Sequence, residues 1–171
     1  YTADWSVEQY LRDVRIAAIY EGTNHIQALD LVGRQLGKRG GANFQAFLAD
    51  INKFVKEHAD NESLGKYIKE LGEAAQSLGA TAMRFLGWFQ AGKMQLVPLS
   101  ANIFLTMMST TAISWLLLEQ AIIAEGKLAG MAEDDPDRKF YEGKRYSAMH
   151  YAGIELGQVL SNAKYLGEEN Q

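Results

Sequence analysis

The sequence predicts an all-α protein, two helices followed by an antiparallel four-helix bundle. Three observations carry this. The 171 residues include only two prolines, so few points force a helix to stop. Apolar residues recur at spacings of three and four along most of the chain, the period of helices with one buried face. Strand-type alternation of β-branched residues is almost absent.

The first helical pattern carries Val7, Tyr10, Leu11, Val14, Ala17 and Ala18 on one expected buried face. Ser6 and Gln9 have the spacing of a capping box. Glu8 and Arg12 stand four apart, in the favourable order for an exposed pair. Arg12 and Asp13 read from pattern alone as ordinary surface charge. Gly22 then lets the backbone leave the helix. Thr23 is placed to cap a second helix over 24–36, with Ile26, Leu29 and Leu31 or Val32 facing inward. Gly37, followed by Lys38-Arg39-Gly40-Gly41, marks the best boundary in the chain. It divides residues 1–37 from a bundle over 43–167.

The bundle begins with the stripe Phe44, Phe47, Leu48, Ile51, Phe54 and Val55. His58 closes that helix as a C-terminal residue rather than a ligand, and Asn61 starts the next. The long helix that follows, 62–91, contains Leu64-Gly65, Leu71-Gly72 and Leu78-Gly79 at heptad spacing, with Leu86-Gly87 one step later. Each glycine costs about 1 kcal/mol against alanine, so the repeat predicts a seam where a neighbouring helix comes close. Phe85, Trp88 and Phe89 are expected to close one end. Residues 95–100 form the next connection, with Pro98 breaking it and Ser100 as cap. Residues 96–118 carry no charge, which raises the question of a membrane span. Seven Ser, Thr or Asn side chains in that run favour the most buried helix of a bundle, and no membrane span is expected. Asp135 and Pro136 are expected to open the last helix, 137–166, which carries Phe140, Tyr146, Tyr151, Ile154, Leu160 and Tyr165.

The net charge of -4 gives no basic field for nucleic acid or an anionic membrane surface. The absence of cysteine excludes disulfides, thiolate metal sites and cysteine nucleophiles, and fits a reducing, cytoplasmic location. No secretory signal pattern opens the sequence. His25, His58 and His150 are too scattered for a metal site, and no Gly-rich phosphate loop or His-Glu-x-x-His is present.

The chemistry centres on Ile19-Tyr20-Glu21-Gly22-Thr23-Asn24-His25-Ile26-Gln27. A Glu beside a Gly is either a solvated helix end or, lodged among Ile19, Tyr20 and Ile26, a desolvated carboxylate. Desolvation raises a carboxyl pKa and makes the anion a stronger base.

Taken together, Leu11-Arg12-Asp13-Val14-Arg15-Ile16, Ile19-Tyr20-Glu21-Gly22-Thr23 and Ile26-Gln27 closely resemble the last signature of the acyl-CoA dehydrogenases, a flavoenzyme family. The likeness covers about the first 35 residues. The remainder resembles, more loosely, the extra C-terminal helical domain of larger members. Among these, enzymes acting on 3-methylthiopropanoyl-CoA (3-methylmercaptopropionyl-CoA) and long-chain members look similar.

The resemblance implies that Glu21 is the catalytic base. It would remove the proton next to the thioester carbonyl while FAD accepts hydride from the next carbon, leaving a 2,3-trans-enoyl-CoA. Tyr20 and Gly22 would border the substrate. Thr23 matches the family's flavin-contacting Thr, and His25 stands where many members have a flavin-contacting Gln. The Arg-Asp pair would tether the turn. The resemblance further implies an acyl-CoA substrate, electron-transfer flavoprotein as acceptor, and a homo-oligomer, dimer or tetramer. With the signature lying so near the start, the chain looks like the C-terminal piece of a longer protein. Because FAD would be held mostly by domains outside it, the chain is expected to bind FAD weakly or not at all and to be inactive alone. The alternative expectation is a stand-alone helical interaction module.

Overall fold

The computed structural model describes residues 4, 7–18 and 23–168. Among these residues the protein is helical with no strand. The chain runs through α1 (Val7–Val14), a 3-10 turn (Arg15–Ala18), α2 (Asn24–Asp30), a π-helical turn (Leu31–Gln35) and a 3-10 turn (Lys38–Gly41). The antiparallel bundle follows as α3 (Ala42–His58), α4 (Gly65–Gln90), α5 (Leu96–Leu128) and α6 (Arg138–Gly167).

Glu8 and Arg12 pair on α1 at 3.0 Å. The expected buried face of α1 is not buried. Val7, Tyr10, Leu11 and Val14 are all exposed, Tyr10 to 72%. The helical period is present, but α1 and the turn after it pack mainly on each other, so nothing in the described chain covers the stripe. The proposed Ser6 cap lies outside the described residues.

The second helix ends as expected near Leu36, but its last turn widens. The Leu36 N–H donates to the Leu31 carbonyl at 3.0 Å, five residues back. The inward face is Ala28 and Val32, not Ile26, which is exposed. Leu29 and Leu31 are half-buried against the core. The chain then reverses through three left-handed residues, Arg39, Gly40 and Gly41. Two of them are glycine, which adopts this conformation without a Cβ penalty.

Ile51 and Phe54 of α3 are buried, with Phe44, Phe47, Leu48 and Val55 packed around the core. His58 lays its ring against Phe54, centroids 4.9 Å apart. Ile68, Leu71, Leu78 and Phe85 form the inner stripe of α4. Each such side chain contributes about 1.5–3 kcal/mol by leaving water. Phe85 meets Phe104 of α5 at 5.1 Å between centroids and Trp88 at 5.5 Å. Phe89 stays partly exposed.

The glycine seam is real in part. A Cβ on Gly72 would lie 3.2 Å from Val55, and one on Gly79 would lie 3.3 Å from Leu48. These neighbours are α3 side chains rather than a helix backbone. Gly65 alone meets backbone, the Ala59 carbonyl oxygen at 2.6 Å. Gly87 faces open space.

Pro98 does not break α5. It sits in the first turn of the helix, where a missing N–H leaves no bond unmade. Ser100 is therefore inside the helix and buried rather than a cap. Two threonines of α5 are satisfied within the helix, while the buried Ser114 hydroxyl and Trp115 indole N–H have no hydrogen-bond partner among the described residues. The Thr111 hydroxyl donates to the Met107 carbonyl at 2.8 Å, and Thr106 donates to Asn102 at 3.0 Å. Among the described residues, α5 is the one helix long and apolar enough to cross a membrane by length and composition. Here it packs on α2, α4 and α6 at the centre of the bundle.

Asp135 does not cap α6. Its Oδ1 accepts from the Asp137 N–H at 2.9 Å, an Asx turn one step ahead of the helix. On α6 the buried residues are Ala148, Ala152, Leu156, Val159 and Leu166, while Phe140, Tyr146, Ile154 and Tyr165 are exposed. α5 and α6 form the most extensive helix pair. Both bury small residues, Ser114, Ala121 and Ala124 on α5 with Ala148 and Ala152 on α6, which lets helices approach closely.

Candidate active site

Tyr20, Glu21 and Gly22 lie outside the described residues. The structure describes the frame that follows them. Thr23 is extended (φ -83°, ψ 147°) and its Oγ1 accepts from the Ile26 N–H at 3.3 Å. This is the expected N-cap. A hydroxyl used in this way as an acceptor still has its own proton to donate.

α2 has seven residues, too few for a helix to persist alone in water. Its stability comes from docking. Ala28 is fully buried and Val32 nearly so, and both belong to the same core as the bundle. The helix and its π-helical turn pack on α5. At the C-terminal end, Asp30 accepts from Gln35 Nε2 at 2.8 Å and pairs with Arg34 Nε at 2.7 Å. The Gln35 amide, and then Arg34, hold the Asp30 carboxyl below the usual carboxylate range against some desolvation.

His25 projects from the first turn of α2 and is exposed. Its Nδ1 lies 3.4 Å from Oδ1 of Asn102 on α5. Thr23 and His25 are thus the two expected site residues that the described structure contains, and it holds both at one end of α2. Asn102 carries no sequence signal of its own. It is one of several small polar residues in an uncharged run, with no spacing that ties it to a residue 77 positions away.

A second feature is an apolar hollow of about 610 Å³ between the π-helical turn, α3 and α4. Val32, Leu36, Phe44, Leu48 and Phe85 line it, with Met83, Leu86 and Phe89 on its exposed side. Among the described residues no charged side chain lines it, so it offers burial without acid–base chemistry. Among the described residues, no cluster of three or more His, Asp or Glu side chains could hold a metal ion.

These features can be set beside known proteins. Residues 47–171 match the family model described as acetyl-CoA dehydrogenase C-terminal like. Residues 1–37 match acyl-CoA dehydrogenase, C-terminal domain. The chain is 32% identical over 157 residues to the broad-specificity linear acyl-CoA dehydrogenase FadE5 of Mycobacterium tuberculosis, covering 89% of this chain and 26% of that protein. It is 27% identical over 151 residues to a butyryl-CoA dehydrogenase of Syntrophomonas wolfei, covering 88% and 24%. It is 31% identical over 131 residues to the 3-methylmercaptopropionyl-CoA dehydrogenase of Ruegeria pomeroyi, covering 75% and 22%. The chain spans about a quarter of the length of the curated relatives it matches. With a family model matched over most of its residues, the chain belongs to the acyl-CoA dehydrogenase family.

Proposed function

We propose that this chain is the C-terminal part of an FAD-dependent acyl-CoA dehydrogenase, and that Glu21 is its catalytic base. The observation that supports the reading most directly is the Thr23 cap. The run Ile19-Tyr20-Glu21-Gly22 leads straight into a helix start that is fixed by its own side chain and docked on α5. A base needs such a frame, because proton abstraction demands hydrogen-bond reach to one C–H.

In this reading Tyr20 and Gly22 border the acyl thioester. The Glu21 carboxylate takes the proton from the carbon next to the carbonyl and holds it as the 2,3-trans-enoyl thioester forms. Bound FAD supplies two-electron acceptor chemistry for the hydrogen on the next carbon. Thr23 and His25 fit the edge of a flavin in their chemistry, a hydroxyl with a free proton and an exposed imidazole. Most of the flavin and CoA contacts come from elsewhere in a longer protein, so the 171-residue chain alone neither retains stoichiometric FAD nor turns over. The division at 37–43 separates the end of the catalytic helical domain from a four-helix extension. The reading carries with it electron-transfer flavoprotein as acceptor, a homo-oligomer and a cytoplasmic location. The relatives' names point to linear and short acyl thioesters as the substrate class.

The test is Glu21→Gln in the longer protein. Acyl-CoA-dependent bleaching of the flavin should fall by about a hundredfold or more, with flavin content unchanged. Turnover equal to that of the unsubstituted enzyme would overturn the assignment.

A further inference from the structure

Two segments of the chain meet at His25 and Asn102. The first follows directly on the proposed catalytic turn, and the second is the central helix of the bundle. Among the described residues α2 packs on no helix other than α5 as extensively, and this side-chain pair lies at the end of α2 nearest Thr23. The chemistry of the pair is directional. An amide oxygen only accepts, so the proton shared with it belongs to His25 Nδ1. His25 Nε2 is then a bare lone pair and, among the described residues, has no protein partner.

We propose that Asn102 is a positioning residue for the dehydrogenase site. It selects the Nδ1–H tautomer of His25 and fixes the ring, so that Nε2 is presented as a hydrogen-bond acceptor at the end of α2 that Thr23 caps. Thr23 offers a proton and His25 offers a lone pair. A donor and an acceptor at one end of a short helix suit a ligand that carries both an acceptor and an N–H or O–H donor. The bundle extension thereby has a task at the reacting end of the enzyme. Without Asn102, the imidazole has two tautomers and two ring flips and offers no fixed edge. This inference rests on the dehydrogenase reading for its consequence, but the tautomer itself does not.

The experiment has two arms. In the first, ¹⁵N-histidine-labelled protein is studied by long-range ¹H–¹⁵N correlation above the imidazole pKa, with His25 identified by loss of its signals in His25→Gln. The unsubstituted chain should show His25 with its proton on Nδ1. Asn102→Ala should return it to the predominantly Nε2-protonated form of an unconstrained histidine. Asn102→Asp keeps an acceptor and should keep the Nδ1 proton. A His25 that is mainly Nε2-protonated in the unsubstituted chain, or one unchanged by Asn102→Ala, overturns the proposal. In the second arm, the longer flavoenzyme carrying Asn102→Ala should lose about fivefold in kcat, keep its KM for acyl-CoA, and show a displaced flavin absorption band. Asn102→Asp should restore most of the loss. A normal kcat and flavin spectrum in Asn102→Ala would overturn the positioning role. Absence of any acyl-CoA turnover in the unsubstituted enzyme would instead defeat the dehydrogenase reading, leaving the tautomer result to stand or fall on the first arm.

Discussion

Asn61, in the connection between α3 and α4, donates from Nδ2 to Oε2 of Glu125 on α5 at 2.7 Å. The same Asn61 accepts the Ser63 and Leu64 N–H groups at 3.0 and 2.8 Å. Oε1 of Glu125 receives the Ser63 hydroxyl, and Arg145 Nε of α6 at 3.0 Å. One carboxylate therefore ties the start of α4 to α5 and α6. Burial pushes the Glu125 carboxyl up, but the bonds from Ser63 and Asn61 and the charge of Arg145 outweigh it and hold it below the usual carboxylate range.

Glu125→Ala should cost about 2 kcal/mol, because it removes a charged acceptor and leaves its donors without a partner. The sign of the pH dependence follows from the lowered folded-state pKa. Stability from Glu125 is fully present above its unfolded-state pKa and is lost as pH falls through the folded one. The gap in stability between Glu125→Ala and the unsubstituted chain should be full at pH 7 and shrink below about pH 4. Thermal melts at both pH values check this. A gap that widens in acid would contradict it.

The four glycines of α4 are alike in sequence and differ in space, and the chain's other helix glycines can be sorted the same way. Gly157 lies inside α6, and a methyl added there would meet nothing within 4 Å, so Gly157→Ala should raise stability by about 1 kcal/mol. Gly65→Ala would press a methyl to 2.6 Å from the Ala59 carbonyl oxygen. That contact is backbone and cannot swing aside, so the substitution should cost about 1–3 kcal/mol. Melts of opposite shift are the expected result.

The contrast shows what the sequence could and could not convey. Helical period located α3 and α4, because Phe44 to Val55 and Ile68 to Phe85 recur on one helical face, whereas α5 was marked by its long uncharged run. The Thr23 cap was legible because capping is local chemistry within three residues. Which face is covered was not local. The α1 stripe is as regular as that of α3, yet it stays exposed because no partner in the described chain meets it. On α6 Phe140, Tyr146, Ile154 and Tyr165 are exposed while Ala148 and Ala152 are buried beside Leu156 and Val159, since close approach to α5 favours small residues and period alone does not encode separation. Asn102 was illegible for the same reason. Its meaning comes from a contact 77 residues away.

Thr23→Ala should cost about 1 kcal/mol, the usual value for an N-cap hydroxyl. The loss belongs mostly to α2, so hydrogen exchange at Ile26 and Gln27 should quicken while the amides of α4 and α5 keep their protection. Thr23→Ser retains the oxygen and should retain the protection. Equal slowing or quickening throughout the bundle would show that the cap is not a local device.

Ala28 is the position on which the docking of α2 depends. It has no exposed surface, and α2 is too short to hold itself. Ala28→Leu adds three carbons where none fit, so it should cost about 1–3 kcal/mol. For a chain of this size that is a fall of about 2–12 °C in melting temperature. The backbone shift should also move His25 away from Asn102, so the His25 tautomer should change along with stability. Ala28→Gly removes only a methyl and should cost about 1 kcal/mol of helix propensity without displacing the helix, leaving the His25 signals in place. Melts together with the histidine ¹⁵N spectrum separate the two substitutions. Unchanged stability and an unchanged His25 in the Ala28→Leu chain would mean that α2 rests on α5 loosely, and that the core does not hold the turn.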